Sequence, residues 1–478
     1  MSRSLLLAAV IDALNDAGSA YCILHGWTRL DDGSATDIDL AMAPSGLAAF
    51  EQALRSKRYA QILQLIHYEV GGFFFVIRSQ DAVPTTFISV DVIVDYRKDG
   101  RVYLRNADLL KDRRTWNDLW IAGPESEFAY LLIKKVSKQE LPEHQRLRLR
   151  ELYSALPERA PVVLDQLFGY RWGHWVDRSI AGSAWHDFES LLPRLHRALR
   201  WRAIRRDPAN TLRYHLPDVR RLWQRWRYPT GLLVALLGPD GSGKSTLIKG
   251  LERALSEPFR QSRPFRLRPD IFRRNSNAVN PDPHGKAPLP YILCVLKALY
   301  LILDYSLGYH LYIRPKLVRS DLVLFDRYYD DIFVDPRRYR YAGPQWLLRF
   351  VHAFVPRPDL FLVLNAPVDT LLARKYEVPR IEVRRQSLEY CNFAAKLPNA
   401  FILDATLPPD QLVELATDLC VAQMHDRYRR RRGLWFGVDP HTSGEPACIK
   451  LGENRRTNLF PIRETNKRTR RIHSLRTW

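Results

Sequence analysis

Two periodicities share this chain. Apolar residues recur at helical spacing over residues 4–17, give way to strand-like runs at 21–25 and 37–43, and return to helical spacing at 46–57. Further strand-like runs stand at 72–78 and 87–94. From residue 125 to about 227 the pattern is helical, as in Glu127-Phe-Ala-Tyr-Leu-Leu-Ile-Lys-Lys135, with tryptophans and arginines interleaved. A new alternation begins at Gly231, with strand candidates at 232–237, 322–325, 360–364 and 401–403 and helical stretches between them, one over 247–255. Strands alternating with helices predict a parallel sheet covered on both faces. After Gly433 the pattern dissolves into polar, basic sequence with prolines, a composition expected to stay disordered.

The fold expected is therefore α/β. An α+β domain occupies residues 1–120, a helical connector 121–228, a parallel-sheet domain with helices on both faces 229–432, and a basic tail 433–478. The length of 478 residues fits this division, since one ordinary core stops growing well below it. Five cysteines, Cys22, Cys294, Cys391, Cys420 and Cys448, lack metal or redox spacing, which suits a reducing, cytoplasmic setting. The opening Met1-Ser-Arg-Ser-Leu-Leu-Leu-Ala-Ala-Val10 is interrupted at once by Asp12 and Asp16, so an amphipathic first helix accounts for it better than a signal peptide. The apolar run over 292–303 falls short of the ~20 residues of a membrane span, and no transmembrane segment is expected.

The net charge of +21 gathers at residues 194–227, 427–432 and 455–476. Solvated helix faces and a disordered tail are the plainer reading. An anionic partner for the tail, whether lipid, nucleic acid or glycan, is the functional one. No recognised nucleic-acid module accompanies the charge.

Chemistry enters at Gly238-Pro-Asp-Gly-Ser-Gly-Lys-Ser-Thr246, which follows the strand-like run and precedes a helical pattern. It has the full phosphate-loop form G-x-x-x-x-G-K-[ST]. Gly238, Asp240, Gly241, Ser242, Gly243, Lys244, Ser245 and Thr246 would form the nucleotide cradle, glycines letting backbone amides turn toward phosphate. Lys244 would bridge the β- and γ-phosphates of ATP, and Ser245 would offer its hydroxyl to Mg²⁺. A carboxylate ending the next central strand lies beside such a loop, so Asp326 is a candidate for Mg²⁺ and Arg327 for the transferring phosphoryl group. Arg374, Arg380, Arg384 and Arg385 fall on one segment that could close over phosphates, or form an ordinary solvated helix.

Residues 230–425 resemble the thymidylate kinase branch of P-loop nucleoside monophosphate kinases. The resemblance rests on the phosphate loop, on the stretch 313–328 ending Phe-Asp-Arg-Tyr328, on Pro358-Asp-Leu-Phe-Leu-Val-Leu364 with Arg374, and on Leu403-Asp-Ala-Thr406. It implies a five-stranded parallel sheet, ATP and Mg²⁺ as cofactors, and a small-molecule phosphate acceptor. It further implies that Asp240 reaches the acceptor's sugar and that Arg327 touches both phosphates. Arg374 and the arginines after it would act as a lid, and Asp404, Ala405 and Thr406 would flank adenine. A homodimer is compatible with it. On the acceptor side the pattern departs: Tyr305 stands where the family has an arginine, residues 260–289 lack the usual pattern, and residues 331–344 are rich in arginine and tyrosine.

In the amino-terminal part, Leu24-His-Gly-Trp27 is followed by Asp37-Ile-Asp-Leu40, and Asp91 sits on a later apolar run. Carboxylates at i and i+2 of a strand share a face, so Asp37, Asp39 and Asp91 are candidate ligands for two Mg²⁺ ions. Residues 5–100 resemble the minimal nucleotidyltransferase fold, with Trp27 in place of its usual small residue. The resulting expectation is an ATP- and Mg²⁺-dependent kinase acting on a nucleotide or sugar phosphate, fused to a nucleotidyltransferase-like domain. Processing of nucleic-acid ends and a nucleotide-binding scaffold without transfer are the alternatives.

Overall fold

Alternation along each strand decides which face a side chain serves. In β1 (Tyr21–Ile23), Tyr21 and Ile23 enter one apolar cluster and Cys22 another; in β2 (Asp37–Met42), Ile38, Leu40 and Met42 join the first and Ala41 the second. The first cluster is closed by helices Ser2–Asp16 and Gly46–Ser56 through Leu6, Val10, Leu14, Phe50 and Leu54. Tyr130 of helix Pro124–Lys138 packs into the second. The other strands of this half are β3 (Ala60–Glu69), β4 (Gly72–Ser79), β5 (Phe87–Ile93), β6 (Tyr96–Lys98), β7 (Arg101–Leu104), β8 (Arg114–Trp116) and β9 (Leu119–Ile121). Seven of them form one sheet in the order β3-β4-β5-β2-β1-β9-β8, and β6 pairs with β7 separately. β2 and β5 run parallel with Asp39 opposite Asp91.

The computed structural model describes residues 2–31, 36–80, 85–269, 287–376 and 378–436. Arg273, Arg274, Asn280, His284, Cys448 and nearly all of the basic tail lie outside these residues. Two units emerge: described residues through Thr230 together with those from Met424 onward, and Gly231–Gln423. The helices expected as a connector thus share a unit with the amino-terminal sheet. They build their own cluster around Phe128, Leu132, Leu149, Leu164, Phe188 and Leu195. The end of helix Pro409–Arg431 also belongs there: buried Glu51 accepts the Tyr428 hydroxyl and two Arg432 bonds at 2.8 and 2.9 Å.

The second unit holds β10 (Leu232–Leu237), β11 (Ser262–Arg266), β12 (Leu322–Asp326), β13 (Leu360–Asn365) and β14 (Ala400–Asp404). They form an all-parallel sheet in the order β11-β12-β10-β13-β14. β10 and β13 are buried at every position, which is why they read as unbroken apolar runs. Six strands, β3, β6, β7, β8, β9 and β11, escaped the sequence pattern, and for two of them the reason is plain. Pro264 and two arginines make β11 a polar edge strand, a place where proline is tolerated. In β3, a bulge between Ile62 and Gln64 breaks the alternation.

The apolar run at 292–303 is longer in space than in sequence. Helix Tyr291–Gly308 continues through a π-helical turn, Tyr309–Ile313, into Arg314–Val318. The resulting 28-residue segment is long and apolar enough to cross a membrane, with a mean hydropathy of 1.5 over its most apolar stretch. A core helix passes the same test, and Cys294, Ala298, Leu301 and Tyr305 of this one pack into the second unit's core.

Candidate active site

The loop after β10 folds back because its glycines take conformations closed to other residues. Gly241 and Gly243 have φ of 78° and 90°. Gly238 has φ of 144°, and a Cβ there would collide with the Leu364 carbonyl. Helix Lys244–Ala254 starts at once, so its unpaired first amides and positive dipole end border a cavity of about 640 Å³. Asp240, Gly241, Ser242, Gly243, Lys244, Ser245 and Thr246 all line it. Asp326 and Arg327, from the carboxyl end of β12, line it too, because β12 pairs directly with β10.

Lys244 is buried and folded back on the loop, donating to the Gly238 and Pro239 carbonyls at 2.9 and 2.8 Å and to the Ser242 hydroxyl at 3.3 Å. Burial and the nearby Arg327 charge pull its ammonium down to about 7. The loop thus holds the lysine ready for an anion that would stabilise its charge. Oδ2 of Asp326 accepts from Ser245 Oγ at 3.4 Å, while Oδ1 is buried without a hydrogen-bond partner. A bare carboxylate oxygen beside a hydroxyl suits Mg²⁺, and these two residues would hold it. The ion would neutralise charge on the transferring phosphoryl group.

Arg327 has φ of 71°, with its N–H bonded to the Leu236 carbonyl at 2.9 Å. Its guanidinium bonds Asp240 and, at 3.1 Å, the fully buried Asp331. The Tyr339 hydroxyl also donates to Asp331 at 2.6 Å, and Tyr390 donates to its other oxygen. Burial opposes the Asp331 charge, but Arg327 and these hydroxyls hold its carboxyl below the usual range. Asp331 is therefore a positioning residue that sequence reasoning missed, although its i+4 spacing from Arg327 was visible. Arg338 bonds the remaining oxygen of Asp240 and also lines the cavity. Arg266, at the end of the unforeseen β11, lines it as well.

The expected lid divides. Arg374 lines the cavity and donates to the Ala405 carbonyl at 2.8 Å. Arg380, Arg384 and Arg385 are not among the lining residues: Arg380 pairs with Asp369, Arg385 with Glu382 and the Val334 carbonyl, and Arg384 is exposed. Arg380 is held by Asp369 of the preceding helix Val368–Arg374, and Arg385 by Glu382 of its own helix Arg380–Ala395. Of the predicted adenine-flanking residues, Ala405 lines the cavity, while Asp404 caps the turn by accepting from Thr406 N and Oγ1 at 2.9 and 2.6 Å. Tyr305 does not face an acceptor: it is 2% exposed and donates to the Leu267 carbonyl.

The three amino-terminal carboxylates expected as metal ligands have different surroundings. Among the described residues, no group of three or more His, Cys, Asp and Glu could hold a metal ion. Asp39 is occupied by the Lys134 ammonium at 2.7 Å, with His25 Nε2 at 3.2 Å. Burial opposes its charge, yet Lys134 and His25 outweigh burial and hold its carboxyl below the ordinary value. Asp91 accepts the Tyr68 hydroxyl at 2.8 Å, and burial with the Asp39 charge pushes it up to about 7. Asp37 is exposed. A protein cation thus sits against Asp39, one of the three expected ligands.

A phosphate loop at the carboxyl edge of a parallel sheet, with a strand-end Asp-Arg pair beside it, defines a P-loop phosphotransferase. The chain is 30% identical over 234 residues to the thymidylate kinase of Xanthomonas campestris pv. campestris (strain B100), covering 47% of this chain and 94% of that one. It belongs to the thymidylate kinase family. It is also 26% identical over 220 residues to the probable thymidylate kinase of Methanospirillum hungatei, covering 42% of this chain and 99% of that one. The solved thymidylate kinase of Candida albicans is 20% identical, covering 41% of this chain and 93% of that one, with a TM-score of 0.29. No protein-family model matches the chain.

Proposed function

We propose that the second unit transfers the γ-phosphoryl group of ATP, with Mg²⁺, to a phosphomonoester acceptor other than thymidine monophosphate: another nucleotide or a sugar phosphate. The observation that carries this reading is the charge around Asp240. Two arginines, Arg327 and Arg338, neutralise it from opposite oxygens, and Arg338 lies in the same cavity as Lys244. An acceptor phosphate that displaced Asp240 from Arg338 would gain a planar, bidentate cation without moving the backbone. Tyr305 contributes nothing there, because its hydroxyl is spent on a backbone carbonyl inside the core. Residues 238–246, Asp326, Arg327 and Arg374 serve the donor side, and Arg338 with Arg266 the acceptor side.

Single-turnover transfer from γ-labelled ATP across thymidine monophosphate, other nucleoside monophosphates and sugar phosphates tests this. The best acceptor should lose at least about tenfold in kcat/KM with Arg338→Met, since a charge-assisted bond to phosphate contributes about 1.5–3 kcal/mol. Thymidylate turnover at the roughly 1–100 s⁻¹ of ordinary kinases would overturn the acceptor assignment.

A further inference from the structure

Helix Pro124–Lys138 carries a charge that the kinase site does not use. Lys135 is 6% exposed, and among the described residues its ammonium has no hydrogen-bond or ion-pair partner. It lines a cavity of about 590 Å³ wholly within the amino-terminal unit, a size that suits small-molecule pockets. The other charges on the cavity wall are largely matched. Lys134 is taken by Asp39 at 2.7 Å, and Arg148 by Glu127 at 2.6 Å and Glu151 at 2.9 Å. Arg148 also stacks over the buried Trp27 ring at 4.9 Å, fixing that wall. Lys135 and the exposed Lys138, three residues apart and so on one side of the helix, both line the cavity, as do the exposed Arg29 and Asp37.

We propose that this cavity is a second ligand site, which takes the phosphate group of a small phosphorylated molecule without a metal ion. Ammonium groups crowded on one helix face repel one another, and a bound anion offsets that repulsion. Burial, with Lys134 and Lys138 alongside, pulls Lys135 down to about 8. Two neighbouring ammonium groups match the charge of a phosphomonoester dianion better than that of a carboxylate. The metal usual for phosphate sites has no ligand cluster here among the described residues, and Lys134 already supplies positive charge at Asp39.

The test uses the full-length protein with its lysines reductively ¹³C-dimethylated. The resonance of Lys135 is identified as the one missing in Lys135→Arg. Glycerol 3-phosphate in excess EDTA should shift the Lys135 and Lys138 resonances saturably, while propionate at the same concentration should not. In Lys135→Gln, which removes the charge and keeps the side chain polar, the titration followed at Lys138 should weaken at least about tenfold. No shift at Lys135, a shift that requires added Mg²⁺, or an equal response to propionate would each overturn the proposal.

Discussion

Replacing Lys244 with methionine should make the nucleotide-free protein more stable while abolishing phosphoryl transfer. The ammonium falls from its ordinary 10.5 to about 7, so the folded state binds fewer protons than the unfolded chain between those values. A difference of about 3.5 in pKa makes the buried charge cost about 4 kcal/mol at pH 7. Three hydrogen bonds, to Gly238, Pro239 and Ser242, oppose this at about 1 kcal/mol each. Methionine keeps the volume, so the variant should gain roughly 1 kcal/mol at pH 7, or about 2–4 °C for a unit of this size. The sign of the pH dependence follows from the lowered pKa. Stability of the parent rises with pH above about 7, because the unfolded chain holds the extra proton. Between pH 7 and 9 the charge cost should fall by about 2 kcal/mol, reversing the order of parent and variant. Urea unfolding at both pH values, with a transfer assay on the same samples, reads these outcomes. A variant less stable at pH 7, or a gap unchanged at pH 9, would refute the account of the lysine. Transfer at the parent rate would refute its role in catalysis.

Asp326→Asn should lower Mg²⁺-supported transfer at least about 100-fold while shifting stability by less than about 1 kcal/mol, because one carboxylate oxygen lacks a protein partner and the other makes a long bond; Mg²⁺-dependent kinetics alongside thermal unfolding check it. Glu51→Gln should destabilise the amino-terminal unit by about 3 kcal/mol in urea unfolding, since it breaks a bidentate pair with Arg432 at a fully buried carboxylate; a loss below about 0.5 kcal/mol would mean that this helix end is not held there. Asp37→Asn combined with Asp39→Asn should leave transfer by the kinase unit unchanged, because the cavity around the phosphate loop is lined entirely by residues from 240 to 413. The same double variant should lose stability at neutral pH but not in acid. Asp39 has a folded pKa below its ordinary 3.8, so its contribution is present above that value and vanishes as pH falls through the lower one.

The phosphate loop, the Asp326-Arg327 pair and four of the five strands of the parallel sheet were legible in the sequence for one physical reason. Each is a contiguous stretch whose neighbours along the chain dictate its conformation: glycines for the turn, unbroken apolar residues for strands buried on both faces. Only tertiary structure decided which charges meet. Arg338 reaches Asp240 across 98 residues, and Lys134 reaches Asp39 across 95. Both pairings follow from how sheets and helices pack, which local pattern does not encode. Arg266 entered the site on an edge strand too polar to be recognised, while Arg380 and Arg385 left it because Asp369 and Glu382 satisfied them nearby. The spacing of Asp37, Asp39 and Asp91 correctly put carboxylates on neighbouring strands, with Asp39 opposite Asp91. It could not foresee that helix Pro124–Lys138 would bring an ammonium to Asp39, and charge at a site is set by all the elements that pack around it.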